Sequence, residues 1–505
     1  MLDRFPEWLV VHGPALLAVL PLMMGSVCAV LPRRFTGWAF AVTTCAVLVV
    51  TSIGVMLSTW AVGPTVYEMG GWEPPRGISF NIDAANVPLV TLISSMALVC
   101  LLYARASVNV EIEPKKRAPF YGAFLIVLAG LVGIVLTGDA FNAFVFLEVS
   151  SISTYVLVAM GASRDRRALT AAFNYLILGS IGATFFVIGV GMLFAETGTL
   201  NMAEMSLILS QIDGGSRVAQ IGYAFIAVGV GLKLAMFPLH TWLPSAYAHS
   251  PSFITAFLAS TATKAALYLL LRFTFTVFDP SFDYVMTILT WLFTGAAVAA
   301  MLVASFSAIF QTDARRVLAY SSVAQVGYML LGVGMVTTAG LAAGYLHLLN
   351  HAVIKGGLFV CLGAFWYRYG ITRVSDFAGL GKLMPWTMGA FTISALSLIG
   401  VPFTAGFISK LNLALAAAER GWWWAIAVIV FSSVLAIFYM GRILTVAYFQ
   451  APPDRALDVK REATPLMAVA MWTLAALSLI IGIFPEGIVM AAQGAAEAFL
   501  PLGGL

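Results

Sequence analysis

Charge is nearly absent from this chain. Charged residues make up 10% of its 505 positions against 61% hydrophobic, at a mean hydropathy of +0.95, whereas soluble domains carry about 25% charge. That excludes a soluble fold. Cysteine is scarce as well. Cys28, Cys45, Cys100 and Cys361 stand singly in apolar runs without C-x-x-C spacing, which excludes a cysteine metal cluster or a disulfide framework and leaves them as packing residues. No ten-residue segments alternate apolar with polar positions, so a transmembrane β-barrel is excluded too. The apolar run near Trp8 has no basic flank or small-residue cleavage site before it, and it reads as a retained helix. The net charge of +4 is no nucleic-acid signal, because most basic residues fall in short loops between apolar runs.

What remains is apolar sequence in stretches long enough to cross a hydrocarbon core of roughly 30 Å as helices. About 14 such spans can be counted, near 8–31, 38–60, 84–105, 119–137, 140–161, 168–195, 217–243, 251–278, 284–311, 314–336, 340–369, 384–417, 422–449 and 463–484. Residues 486–503 follow Pro485 and read as a tail on the membrane surface. The expected fold is an all-α polytopic membrane protein. Of the 27 lysines and arginines, 17 lie in one set of alternate loops, among them Arg33, Arg34, Arg164, Arg167, Arg316, Arg373 and Lys460. Only 5 lie on the other side, Arg4, Arg76, Arg217, Arg272 and Arg420, beside acidic loops. The positive-inside rule then places both termini on the outer side, in agreement with an even number of spans.

Arg442 lies near the inner end of its span, and the other four basic residues are lysines at membrane depth: Lys233, Lys264, Lys355 and Lys410. Among the acids, Glu148 is the one well inside a span, with Asp139 in the outer loop before it. An ionised side chain at the bilayer centre costs about 2.5–3.5 kcal/mol on insertion scales. Structural ion pairs or snorkelling to the interface account for single cases. Four lysines and one glutamate cannot pair off, so the surplus lysines need internal solvation or must lose their protons. Desolvation disfavours the charged form and brings ammonium and carboxylate groups toward half-titration near neutrality, as a proton relay requires. A pairing of Glu148 with Lys233 would couple their titrations.

His347, His351 and Lys355 recur every fourth residue and project from one helix face. As a metal site the two histidines lack a carboxylate or cysteine in the same span, so no metal and no cofactor is expected. His240, in F-P-L-H-T-W-L-P, is a candidate for gating or relay, while His249 reads as a solvated loop residue. Pro238 and Pro244 follow Lys233, and Pro402 between Gly400 and Gly406 precedes Lys410. Proline removes a helix bond and clashes with the preceding turn, and paired interruptions in two halves point to inverted repeats around a midplane ion site. A faint echo supports the halves: T-G-D-A at Asp139 and Q-T-D-A at Asp313, with Glu148-Val149 and Ser322-Val323 at the same offset.

The segments T-G-D-A-F-N-A-F-V-F-L-E-V, K-L-A-M-F-P-L-H-T-W-L-P and R-V-L-A-Y-S-S-V-A-Q-V-G-Y, with the H-x-x-x-K stretch, resemble the antiporter-like membrane subunits shared by Mrp cation/proton antiporters, complex I and membrane-bound hydrogenases. The resemblance covers nearly the whole chain. It implies 14 helices, two inverted five-helix repeats and broken helices 7 and 12. It implies a division into 1–110, a first repeat at 111–278, a second at 279–449 and a C-terminal helix and tail at 450–505. It further implies that Glu148 pairs with Lys233, that Lys264, His347 and His351 bridge the halves, and that Lys410 opens the exit route. Asp139, His240, Pro238 and Pro402 would then serve gating or support. A lysine at 410 and the lack of a long lateral helix favour the D-type component of an Mrp antiporter.

The implied function is proton translocation in a multisubunit Na+/H+ antiporter of the cell membrane, with other membrane subunits as partners and no enzymatic step of its own. No oxygen-rich cage for sodium is visible in the sequence. The competing reading is a proton-pumping subunit of a quinone oxidoreductase or membrane-bound hydrogenase. An assembly scaffold with vestigial charges is a third, and a role in driving bicarbonate capture is a fourth.

Overall fold

A computed structural model describes residues 7–30, 36–212, 216–452 and 462–500. The basic residues Arg4, Arg33, Arg34, Arg455, Lys460 and Arg461 lie outside them. Among the described residues, 13 helices are long and apolar enough to cross a membrane. The remaining crossing, the twelfth in chain order, is split into two shorter helices, which brings the arrangement to the expected count.

Three helices lead the chain: α1 (Glu7–Val30), α2 (Thr36–Val62) and α3 (Val87–Glu111). Between α2 and α3 the loop forms a feature not foreseen from the sequence, an antiparallel hairpin of β1 (Thr65–Glu68) and β2 (Ser79–Ile82) with Thr65 opposite Ile82. T-V-Y-E and S-F-N-I supply β-formers, and the Gly- and Pro-rich segment between them turns the chain.

Two sets of five crossings follow. The first comprises α4 (Arg117–Leu136), α5 (Ala140–Ala159), α6 (Arg167–Thr197), a short α7 (Met202–Gln211), the broken pair α8 (Arg217–Leu234) and α9 (Trp242–His249), and α10 (Ser252–Arg272). The second begins at Asp283–Ile309, where α11 (Asp283–Thr287), α12 (Thr294–Ala299) and α13 (Ser305–Ile309) alternate with π-helical turns. It continues through α14 (Ala314–Gly334), α15 (Thr338–Tyr369), a short α16 (Leu380–Leu383), the broken pair α17 (Pro385–Ile399) and α18 (Ala405–Glu419), and α19 (Trp423–Phe449). Then come α20 (Pro465–Ile483) and α21 (Glu486–Phe499), the latter where a surface tail was expected.

The weak sequence echo is strong in three dimensions. Asp139 caps α5 by accepting from the Asn142 N–H at 2.6 Å, and Asp313 caps α14 by accepting from the Arg315 and Arg316 N–H groups at 2.8 and 3.1 Å. Beside the first cap, Ala140 N–H donates to Leu200 O and Met202 N–H to Gly138 O, both at 2.9 Å. Beside the second, Ala314 N–H donates to Thr372 O and Val374 N–H to Thr312 O, both at 2.8 Å. The helix that follows each capped one, α6 after α5 and α15 after α14, ends at a left-handed glycine, Gly198 and Gly370. A unit of five crossings leaves the chain on the opposite side of the membrane from where it began, so the second unit runs inverted.

The core is built around α15, which is buried throughout its most apolar stretch, with α10 and α14 nearly so. Outer helices carry large exposed apolar side chains, such as Ile152, Phe173, Ile177, Phe306, Phe431 and Phe438. In water such a surface would be an aggregation liability; against lipid it is the expected exterior.

Candidate functional site

In both broken crossings, side chains bond carbonyls that the break leaves outside the helical pattern, as a low-dielectric setting favours. Helix α8 stops at Ala235, whose φ of 59° is left-handed, and the freed Leu232 carbonyl accepts from Trp242 Nε1–H at 2.8 Å. Pro238 sits in this break after a cis peptide bond, with His240 stacked on Phe237 at 5.2 Å between ring centres and 6.4 Å from Tyr320. Helix α17 ends at Gly400 with φ 95°, and Pro402 lies between it and Phe403 at φ 66°.

Two residues before Ala235, Lys233 points at α5. Its Nζ donates to Ser151 Oγ at 2.5 Å and Tyr155 Oη at 3.3 Å, and lies 3.7 Å from Glu148 Oε1. The expected ion pair is present, and two hydroxyls support it. Lys410 lies beside the second break, in the half-helix that follows it, and its partners are neutral. Its Nζ donates to the last carbonyls of α17, Leu398 at 3.0 Å and Ile399 at 2.8 Å, and to Ser433 Oγ at 3.1 Å. A helix C-terminus carries partial negative charge, so these carbonyls suit an ammonium.

The groups between them lie on α10, α14 and α15. Lys264, fully buried, donates to Ala259 O at 2.5 Å and Thr263 Oγ1 at 3.3 Å. Lys355, also fully buried, donates to Leu318 O at 2.8 Å and to the Ser321 hydroxyl. His347 is held by Gln325 Oε1 against Nε2 and Ser409 Oγ against Nδ1, both at 2.9 Å. With a carbonyl oxygen facing Nε2, that nitrogen carries the hydrogen in the neutral ring and Nδ1 accepts from the hydroxyl. His351 stacks near His347, with ring centres 6.2 Å apart, and neither of its nitrogens has a hydrogen-bond partner among the described residues. Tyr328 closes the gap to Lys410: its ring is 5.3 Å from that of His347 and 4.8 Å from Lys410 Nζ, and its hydroxyl contacts Ser433 Oγ at 3.3 Å.

Among the described residues, Lys233 is the only one of the four buried lysines with a carboxylate within 4 Å. Nor do any three His, Cys, Asp or Glu side chains gather there as a metal site.

The family described as "NADH:quinone oxidoreductase/Mrp antiporter, TM" matches residues 137–436. The chain belongs to this family. It is 38% identical to NADH-quinone oxidoreductase subunit N of Desulforudis audaxviator, over 95% of this chain and 97% of the relative. It is 32% identical to the D-type component of the Na(+)/H(+) antiporter of Alkalihalophilus pseudofirmus, over 87% of each. Among solved structures, a chain of the archaeal membrane-bound sulfane sulfur reductase superposes with a TM-score of 0.89 at 31% identity, covering 96% of this chain and 97% of that one. Every candidate residue from Asp139 to Lys410 falls inside the segment matched by the antiporter family.

Several charged or supporting residues escaped the sequence reading. Glu148 is not the only acid held in the helical bundle: α3 runs past its expected end to Glu111, which is 4% exposed and accepts from Arg164 at 2.8 Å. Arg272, expected in an outer loop, is the last residue of α10, 5% exposed and paired with Asp83 at 2.7 Å. Arg315, expected in an inner loop, is 3% exposed and donates to Ser252 Oγ at 2.8 Å. Ser321, Gln325 and Tyr328 fall at i, i+4 and i+7 in S-S-V-A-Q-V-G-Y, a one-face stripe that periodicity could have flagged. Ser409 and Ser433 left no such signal.

Proposed function

We propose that this chain conducts protons within a multisubunit membrane complex, along Glu148, Lys233, Lys264, His351, His347 and Lys410, with Lys355 as a side group of the same polar core. The observation that carries this reading is the buried run of lysines and imidazoles with hydroxyl and carbonyl partners but a single carboxylate. Such groups are costly to bury and persist at functional sites. Purely structural charges would be expected to pair, as Arg272 and Arg164 do with Asp83 and Glu111. His351, with both nitrogens unengaged, is suited to take a proton from one side and release it to the other. Pro238, His240 and Pro402 belong to the two breaks, and Asp139 caps the helix that carries Glu148. Both termini are assigned to the outer side on the distribution of basic loops. The chain itself carries no reaction chemistry in this reading.

The driving process is assigned to exchange against sodium in an Mrp-type antiporter, which the likeness to the antiporter component of Alkalihalophilus pseudofirmus and the lysine at 410 support. A second reading, in which electron transfer in partner chains drives the protons, is favoured by the higher identity to subunit N and by the likeness to the sulfane sulfur reductase chain. Identification of co-purifying subunits, followed by proton flux in vesicles with sodium, potassium or quinone varied, separates the two. Flux that follows a sodium gradient without redox partners supports the first, and flux that needs a redox substrate supports the second. Lys264→Ala is expected to abolish flux in either case while the complex assembles; unchanged flux would favour a scaffold and remove the proton path.

A further inference from the structure

A cavity of about 570 Å³ lies at the loop ends of the bundle, lined by none of the residues of the lysine and histidine run, and both repeats contribute to it. The first repeat contributes Arg164 and Arg167 from the start of α6 and its preceding turn, and the second contributes Arg316 from the start of α14 and Arg373 from the turn after α15. The four guanidinium groups are not equivalent. Arg164 is fixed by Glu111 and lies 4.6 Å over the ring of Trp366, and Arg167 is paired with Asp165 at 2.7 Å. Asp313, the other acid in the lining, directs its carboxylate at the N–H groups of Arg315 and Arg316. The side chains of Arg316 and Arg373 have neither a hydrogen bond nor an ion pair among the described residues. Two arginines without a side-chain partner among the described residues thus share one cavity with two that are already oriented.

We infer that this cavity binds a phosphate group, held chiefly by Arg316 and Arg373 and flanked by Arg164 and Arg167. Guanidinium forks match tetrahedral phosphate oxygens in a two-pronged contact, which makes arginine the favoured residue for such groups. Trp366 beside Arg164 supplies the aromatic wall found at the level of lipid headgroups. A phosphodiester from an anionic lipid and free inorganic phosphate share this chemistry. Because the arginines come from both repeats, a bound phosphate ties the two together at the loop ends of α5, α9, α14 and α15. This site is independent of the proton path and stands whichever process drives it.

The test uses the purified complex, wild type and Arg316→Gln/Arg373→Gln. Neither arginine has a partner to lose, so the double variant is expected to fold. Inorganic phosphate is titrated by calorimetry in lipid-free detergent, and lipid retention is read by native mass spectrometry after incubation with vesicles of phosphatidylcholine with or without cardiolipin. Phosphate binding in detergent identifies a free anion, and selective cardiolipin retention identifies a headgroup. In either case the double variant is expected to bind at least tenfold more weakly, Arg373→Lys to lose less, and Arg76→Gln in the hairpin loop to bind as wild type. Equal binding by wild type and the double variant, or none to either probe, overturns the assignment.

Discussion

Replacing Glu148 with glutamine keeps the size and shape of the side chain and removes its charge. At the observed 3.7 Å from Lys233, two unit charges attract by about 4 kcal/mol at an effective dielectric of about 20. The glutamate side chain is 24% exposed and the lysine 6%, so some solvent screening applies and about 2–3 kcal/mol is the working figure. Ser151 and Tyr155 remain to hold the amine, so the helices keep their packing. If the proton moves by exchange between these two groups, that energy enters the barrier, and about 2.7 kcal/mol corresponds to a factor of about 100 in rate. Flux is measured in vesicles containing the intact complex, with a pH-sensitive dye and an imposed gradient. Glu148→Gln is expected to reduce it about 100-fold, with the same subunits co-purifying. Glu148→Asp keeps the charge and should fall between. Full flux in Glu148→Gln would show that the pair is not on the route, whatever its geometry.

Glu111→Gln is expected to act on stability. Breaking a fully buried pair costs about 3–5 kcal/mol, and because the Arg164 side chain is 16% exposed a loss of about 2–3 kcal/mol is expected, read as a lower Tm of the complex. Gly406→Ala should misplace Lys410: an added Cβ would lie 1.8 Å from the Ser397 carbonyl oxygen, so α18 must move off α17. Flux is expected to fall at least tenfold, corresponding to about 1.4 kcal/mol, and an unperturbed alanine variant would refute the close approach. In the loop before α6, Arg167 holds the Asp165 carboxyl at about 2, below its ordinary 3.8. Its stabilisation is therefore present above pH 3.8 and lost as pH falls through about 2. With Arg167 76% exposed, the pair is worth under about 1 kcal/mol, so Arg167→Gln should leave Tm almost unchanged at pH 7.

The features legible in the sequence are those in which one residue decides the physics. Apolar runs fix the crossings, because lipid tolerates little else. Gly400 and Pro402 mark a break because one adopts a left-handed φ and the other cannot donate. The charges of Lys233, Lys264, Lys355 and Lys410 stand out because nothing near them in sequence neutralises them. What stayed hidden depends on contacts across the bundle. Glu111 meets Arg164, and Asp83 meets Arg272, only after helices far apart in the chain have packed. Tyr328, Gln325 and Ser409 are ordinary residues in sequence, and they matter only because α14 and α18 bring them to His347. The hairpin was missed for a different reason: counting apolar runs cannot detect two four-residue strands.

The two repeats share a frame and differ in the charge they place on it. Asp139 and Asp313 occupy equivalent caps, and counting nine residues on from each reaches Glu148 in α5 and Ser322 in α14. Each repeat then places a lysine at its helix break, Lys233 in one and Lys410 in the other. The first lysine therefore faces a full negative charge at 3.7 Å, whereas the second faces the partial charges of Leu398 O, Ile399 O and Ser433 Oγ. A full charge favours the protonated amine far more than carbonyl and hydroxyl dipoles do. Similar breaks thus present unlike charge to the two lysines at the ends of one buried run. On the proposed proton path, asymmetry of charge on a symmetric fold would give the run a direction, set by the separation of Glu148 from Lys233. Coupling on that proposed path would enter at the first repeat, where the carboxylate is, and the second repeat would pass the proton on.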